Sequence, residues 1–131
     1  MVDRTYGEPI GAVPVTLTDE GRADPLLSDL PPTFDAFLGH KEAVRDLPRG
    51  AALLASSATC PVQAFRLGTR VYATQFHPEL DADQLVARIL AYEHHGYFEP
   101  GGADALIAAA RAATVAEPPR ILRRFVELFA R

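Results

Sequence analysis

Gln75-Phe76-His77-Pro78-Glu79 is the stretch of this sequence best equipped for chemistry. It sets a histidine and a carboxylate two residues apart. In an extended segment, residues i and i+2 project from the same face, and Pro78 disfavours helix for His77. A histidine held by a carboxylate keeps one tautomer and is stabilised when it becomes protonated. Such a pair could take a proton from a thiol and return it to a leaving group. His77 and Glu79 therefore read as the base and the orienter of a nucleophilic triad. The plainer alternative is a His-Pro-Glu turn that caps the next helix, with both side chains solvated. In an arbitrary sequence that turn is the commoner of the two.

The nucleophile is harder to find. Cys60 is the only cysteine. A nucleophile elbow needs small residues two positions to either side and a backbone N–H on the next residue, which helps form the oxyanion hole. The local sequence is Ala58-Thr59-Cys60-Pro61-Val62. Pro61 has no N–H, and a strand pattern follows where an elbow would lead into a helix. Cys60 reads as a small buried or loop residue. Ser56 and Ser57 close a predicted strand with no helix behind them, and read as turn or loop residues. His94 and His95 fall near a predicted helix end, where imidazolium suits the C-terminal dipole. No Cys/His spacing suits a metal, so neither a metal nor a cofactor is expected.

The elements that must position the pair divide the chain in two. Ile10 to Thr18 reads as a strand, with Pro14 pointing to an edge or a bulge rather than a central position. Asp19-Glu20-Gly21 is a turn signal. Asp24 to Leu30 predicts a short helix, with Asp24 as N-cap and Pro25 at its first position. Thr33 to Leu38 predicts a strand, Gly39 to Pro48 a polar loop and Ala51 to Ala55 a short strand. Val62–Phe65 and Arg70–Phe76 read as a hairpin about Leu67-Gly68-Thr69. Helices follow. Asp81-Ala82-Asp83-Gln84 resembles a capping box, leading to Leu85, Val86, Ile89, Leu90 and Tyr92 at helical spacing, with Gly96 as a stop. Asp104 to Ala113 is alanine-rich. After Pro118-Pro119, the residues Ile121, Leu122, Phe125, Val126, Leu128 and Phe129 form an apolar stripe that must dock on something. Arg120, Arg123, Arg124, Glu127 and Arg131 face away from it.

Composition sets outer bounds. The 131 residues fit one domain; 48% are hydrophobic and 23% charged, as in a soluble globular chain. The net charge of -4 argues against a basic nucleic-acid surface. No apolar run reaches the roughly 18 residues of a membrane span, and the N-terminus has no signal-peptide core. A lone cysteine fits a reducing cytoplasm. Strands followed by helices suggest an α/β or α+β domain.

Several further motifs occur in order. Glu8-Pro9-Ile10-Gly11 precedes Pro14-Val15-Thr16-Leu17-Thr18, then Asp24-Pro25-Leu26-Leu27 and Gly39-His40-Lys41-Glu42. Leu47-Pro48-Arg49-Gly50-Ala51 leads to Leu54-Ala55-Ser56-Ser57, and Cys60-Pro61-Val62-Gln63-Ala64-Phe65 comes before the Gln75–Glu79 run. This ordered set resembles the class I glutamine amidotransferases, in the branch similar to the amidotransferase domain of GMP synthase. The resemblance covers about residues 7 to 95 and is expected to extend to the C-terminal helices.

The resemblance implies a flavodoxin-like three-layer α/β domain, of which this chain is the C-terminal portion. It implies His77 as general base and Glu79 as the carboxylate that orients it. It places Gly39, His40 and Lys41 where family members contact bound glutamine, partly through the backbone. Relatives often carry an aromatic residue, His, Gly and Asp at that loop, so Gly-His-Lys-Glu is a departure. Family members also hold their nucleophilic cysteine in a Gly-x-Cys-x-Gly turn before the segment matching Glu8 to Gly11. No such motif occurs in this sequence, which begins just after that point. The expectation is a chain inactive by itself. In the complete family enzyme glutamine is the substrate, and the ammonia goes to an acceptor, on a partner synthetase in some cases. Alternatives are a non-catalytic remnant or binding module on the same scaffold, or part of a γ-glutamyl hydrolase. Apolar faces left uncovered would favour self-association.

Overall fold

A computed structural model describes residues 1–95 and 101–130. The order is β1 (Val2–Asp3), β2 (Glu8–Leu17), α1 (Asp19–Ala23), β3 (Thr33–His40), β4 (Ala43–Val44), β5 (Ala52–Ser56), β6 (Ala64–Leu67), β7 (Val71–Thr74), α2 (Ala82–Tyr92), α3 (Gly102–Ala112) and α4 (Pro118–Phe129). Five strands form one sheet in the order β3-β2-β5-β6-β7, and β1 pairs with β4 apart from it. All these pairings are antiparallel. Among the described residues the strands come before three of the four helices, as the sequence pattern predicts.

Alternation along the strands buries both faces of the sheet. Val15 and Leu17 of β2, with Phe34, Ala36 and Leu38 of β3, join Leu26, Leu27, Leu30 and Ile121 in one cluster. Ile10, Ala12 and Phe37 point the other way, onto Leu85, Val86 and Ile89 of α2 and Ala103 and Ala110 of α3. The molecule is thus three layers, with α2 and α3 on one face and α4 with the 24–30 segment on the other.

Pro14 sits opposite Asp35 of β3, in a stretch of β2 beyond the two residues, Thr16 and Leu17, that pair with β5. The edge expectation therefore holds locally, although β2 is an inner strand by order. A bulge does occur, but between Glu8 and Gly11.

Three local expectations are corrected. Asp19-Glu20-Gly21 opens a helix instead of a turn, because the Thr18 hydroxyl accepts from the Gly21 N–H and caps it. Gly21 is required there, since a Cβ would lie 2.0 Å from the Leu54 carbonyl oxygen. Asp24 is the C-cap of α1, not the N-cap of a helix over 24–30. Its buried carboxylate accepts from the Leu26 N–H two residues on, from the Tyr72 hydroxyl and from Arg66, which holds the following residues in turns. The span from Gly39 to Pro48 is not all loop, because β3 continues to His40 and β4 pairs with β1.

The capping box is present: Asp81 accepts from the Gln84 N–H, and Gln84 accepts from the Asp81 N–H. Gly96, read as the stop of this helix, and Arg131 lie outside the described residues. The α4 stripe docks in part. Ile121 is buried, and Phe125 and Phe129 pack on Tyr72 at ring distances of 6.2 and 6.1 Å. Leu122 and Val126 stay exposed. Among the described residues, no helix is long and apolar enough to cross a membrane.

Candidate active site

The segment after β7 is pinned at both ends and open in the middle. Phe76 is buried in the cluster on one face of the sheet, edge-on to Phe34 at 5.9 Å, and Leu80 is buried in the cluster on the other. The His77 N–H donates to the Phe37 carbonyl of β3 at 2.8 Å, and the Gln75 N–H donates to the Gln63 carbonyl at 2.8 Å. The Gln75 side chain adds three ties. It accepts from the Val44 N–H at 2.9 Å and donates to the Val62 carbonyl and to the Cys60 sulfur. Between these anchors His77 and Glu79 reach solvent.

His77 Nδ1 lies 2.8 Å from Glu79 Oε1, with side chains 35% and 45% exposed. Burial pushes the Glu79 carboxyl up. Bonds from its own N–H and from His77, with the charges of His77 and Arg88, outweigh that and leave it below its ordinary value. Glu79 is thus ionised at neutral pH and can only accept. Nδ1 then carries the proton, and Nε2 is the basic nitrogen. Arg88 of α2, 3.5 Å from Glu79, is a further member of the pair's surroundings. The i, i+9 separation left no local signal for it.

Gly39, His40 and Lys41 lie at the end of the same strand that holds His77 through Phe37. They border a cleft with Glu8, Pro9, Ile10, Tyr92 and Leu106. Gly39 has a packing reason to be glycine: a Cβ would meet Ile10 Cγ1 at 2.6 Å and Ile10 Cα at 3.0 Å. His40 pairs with Glu8, its Nε2 standing 2.9 Å from Glu8 Oε2. Glu8 also accepts from Gln63 Nε2 at 2.7 Å, from Ser57 Oγ at 3.1 Å and from the Thr59 hydroxyl. Burial pushes the Glu8 carboxyl up, and these four donors more than offset it, leaving it below the ordinary glutamate value. Sequence reasoning missed this network. Glu8 and His40 each stood inside a motif, but 32 residues separate them, and only the β2–β3 register brings them together.

Cys60 is fully buried. Burial pushes its thiol up, as does the Glu8 charge, against the Val62 backbone and the Gln75 amide, which donates to the sulfur. A buried thiol kept protonated is a poor nucleophile. His94 and His95 lie exposed in the turn after α2.

The sequence pattern described as "Glutamine amidotransferase class-I" matches residues 4–94. A glutamine-hydrolysing GMP synthase from Thermosipho melanesiensis is 36% identical over 72 residues, 54% of this chain and 14% of that protein. A glutamine-hydrolysing GMP synthase subunit from Thermoplasma acidophilum is 43% identical over 60 residues, 45% of this chain and 30% of that protein. The crystal structure of a glutamine amidotransferase from Thermotoga maritima superposes with a TM-score of 0.72 at 24% identity, over 98% of this chain and 54% of that one. The chain thus spans about half the length of that structure, and shares its fold. With the family pattern running over residues 4–94 and through the His77–Glu79 pair, the chain belongs to the class I glutamine amidotransferase family.

Proposed function

We propose that this domain supplies the proton-transfer half of a glutamine-hydrolysing site. His77 is the general base and Glu79 its orienter. The nucleophile is a cysteine thiolate that does not come from these 131 residues. The thiol's proton goes to His77 Nε2 as sulfur attacks the glutamine side-chain amide carbon. His77 returns that proton to nitrogen as the C–N bond breaks and ammonia leaves. Water, deprotonated by the same imidazole, then resolves the γ-glutamyl thioester to glutamate. Gly39, His40 and Lys41 border the bound glutamine. The ammonia passes to an acceptor on a synthetase partner, a reading supported by the Thermoplasma acidophilum relative, which is one subunit of a GMP synthase.

The observation that carries this reading is the 2.8 Å contact from His77 Nδ1 to Glu79, which leaves Nε2 as the base. The burial of Cys60 and the missing N–H of Pro61 support a nucleophile from elsewhere. The test is ammonia release from glutamine by the chain alone and by the chain fused behind a Gly-x-Cys-x-Gly segment of a family member. The expected result is no turnover by the chain alone, and turnover by the fusion that dies with His77→Ala.

A second reading, a non-catalytic interaction module, draws on the exposed Leu122 and Val126 of α4. It predicts concentration-dependent self-association in sedimentation that Val126→Glu reverses, together with an inactive fusion.

A further inference from the structure

We infer that Glu8 is a positioning residue for the glutamine site, clamping the Gly39–Lys41 end of β3 through His40 and tying that clamp through Gln63 to the segment that carries His77. The inference rests on the glutamine-hydrolysing reading above. Each link is a short contact between groups that have little access to water. The Glu8 side chain is 1% exposed and that of His40 15%. An ionised carboxylate has no proton to give, so the imidazole nitrogen facing it, Nε2, must be the donor. Glu8 thereby selects the Nε2–H tautomer of His40. His40 Nδ1 is buried and has no hydrogen-bond partner among the described residues, so no second group among them sets the ring. Among these side-chain contacts the ring's orientation depends on Glu8 alone, and it adds to the β2–β3 pairing that holds the strand end bearing it.

The link to His77 runs by a second route. Gln63 Nε2 donates to Glu8 at 2.7 Å and to Ser57 Oγ at 3.1 Å, which engages both amide hydrogens and fixes the amide's orientation. The Gln63 backbone carbonyl accepts the Gln75 N–H at 2.8 Å, two residues before His77. The bulge between Glu8 and Gly11 lies where this clamp is made. An extra residue there re-aims the strand start, as bulges beside functional sites do. Glu8 lines the same cleft, but its carboxylate is taken up by His40, Gln63, Ser57 and Thr59, and it acts on the site through them. It sets the distance between the segment that borders the substrate and the segment that moves the proton.

The test has two arms. Imidazole nitrogen NMR of the full chain should show His40 as the Nε2–H tautomer, and Glu8→Gln should convert it to a mixture, because one carbonyl oxygen replaces two acceptors. In the active fusion, Glu8→Gln should raise the glutamine KM about tenfold, as expected when contacts common to substrate and transition state are lost. Its kcat should stay within about threefold. Simple destabilisation does the opposite, lowering apparent kcat through the folded fraction while KM holds. Glu8→Asp should restore part of the KM. A wild-type fusion without turnover sinks the glutamine reading itself. An active fusion whose KM ignores Glu8→Gln, or a His40 tautomer that ignores it, overturns the positioning role alone.

Discussion

Two histidine–carboxylate pairs stand in this domain at nearly the same separation. His77 and Glu79 meet at 2.8 Å, His40 and Glu8 at 2.9 Å. Their surroundings differ in every other respect. The first pair is local and half exposed, held by the buried residues flanking it, by the Phe37 carbonyl and by Arg88. The second joins two strands, is almost dry, and gathers Gln63, Ser57 and Thr59 around one carboxylate. A histidine that must exchange protons needs a free nitrogen and access to substrate, which the first pair has. A carboxylate that accepts from four side chains in a buried site has nothing left to offer a reactant, and can only hold things in place. The same two residue types thus serve proton transfer in one setting and alignment in the other, and burial decides which.

The comparison is easiest to break through stability. Removing Glu8 takes the shared acceptor from buried Gln63 and from part-buried His40 and Ser57 and opens a hole where its own buried side chain stood, so Glu8→Ala should cost about 3–5 kcal/mol, read from urea unfolding. A loss no larger than that of a surface substitution would erase the distinction between the pairs. Gly39→Ala should cost about 1–3 kcal/mol by forcing Ile10 aside. A neutral result would mean that glycine is present at 39 for a reason other than packing. Glu79→Gln should cost less than about 1 kcal/mol, because its contacts with His77 and Arg88 are half exposed and screened by solvent.

Acid titration sharpens the same contrast. Both carboxyls lie below their unfolded value of about 4.3. With a depressed folded pKa, the unfolded chain binds the proton first. The stabilisation is therefore complete above about pH 5 and drains away as pH falls through the folded value. Thermal unfolding from pH 7 downward should show Glu8→Gln flattening the acid limb, with a much smaller change for Glu79→Gln.

What could be read from the residues alone follows the range of the interactions. The i, i+2 spacing of His77 and Glu79 and the capping box at Asp81 are local, and the folded chain shows both contacts. The apolar period of α2 and the run of strands before it were legible for the same reason. Asp24 misled because its carboxylate looks like a helix cap in sequence, whereas its partners Arg66 and Tyr72 lie more than forty residues away. Glu8 and His40 stood inside motifs, but their pairing needs the register of β2 on β3 and a bulge, and neither leaves a mark at the level of spacing. Gly39 shows a further limit: its close approach to Ile10 is a property of packing, so from sequence it looked like part of a binding loop.

Whether His77 moves the proton is decided by ammonia release from glutamine, compared between the chain joined to a nucleophile-bearing segment and its His77→Gln variant. Turnover should appear in the fusion, survive Cys60→Ala and vanish with His77→Gln. Turnover that persists without His77, or that appears in the chain alone and is lost with Cys60→Ala, would contradict it.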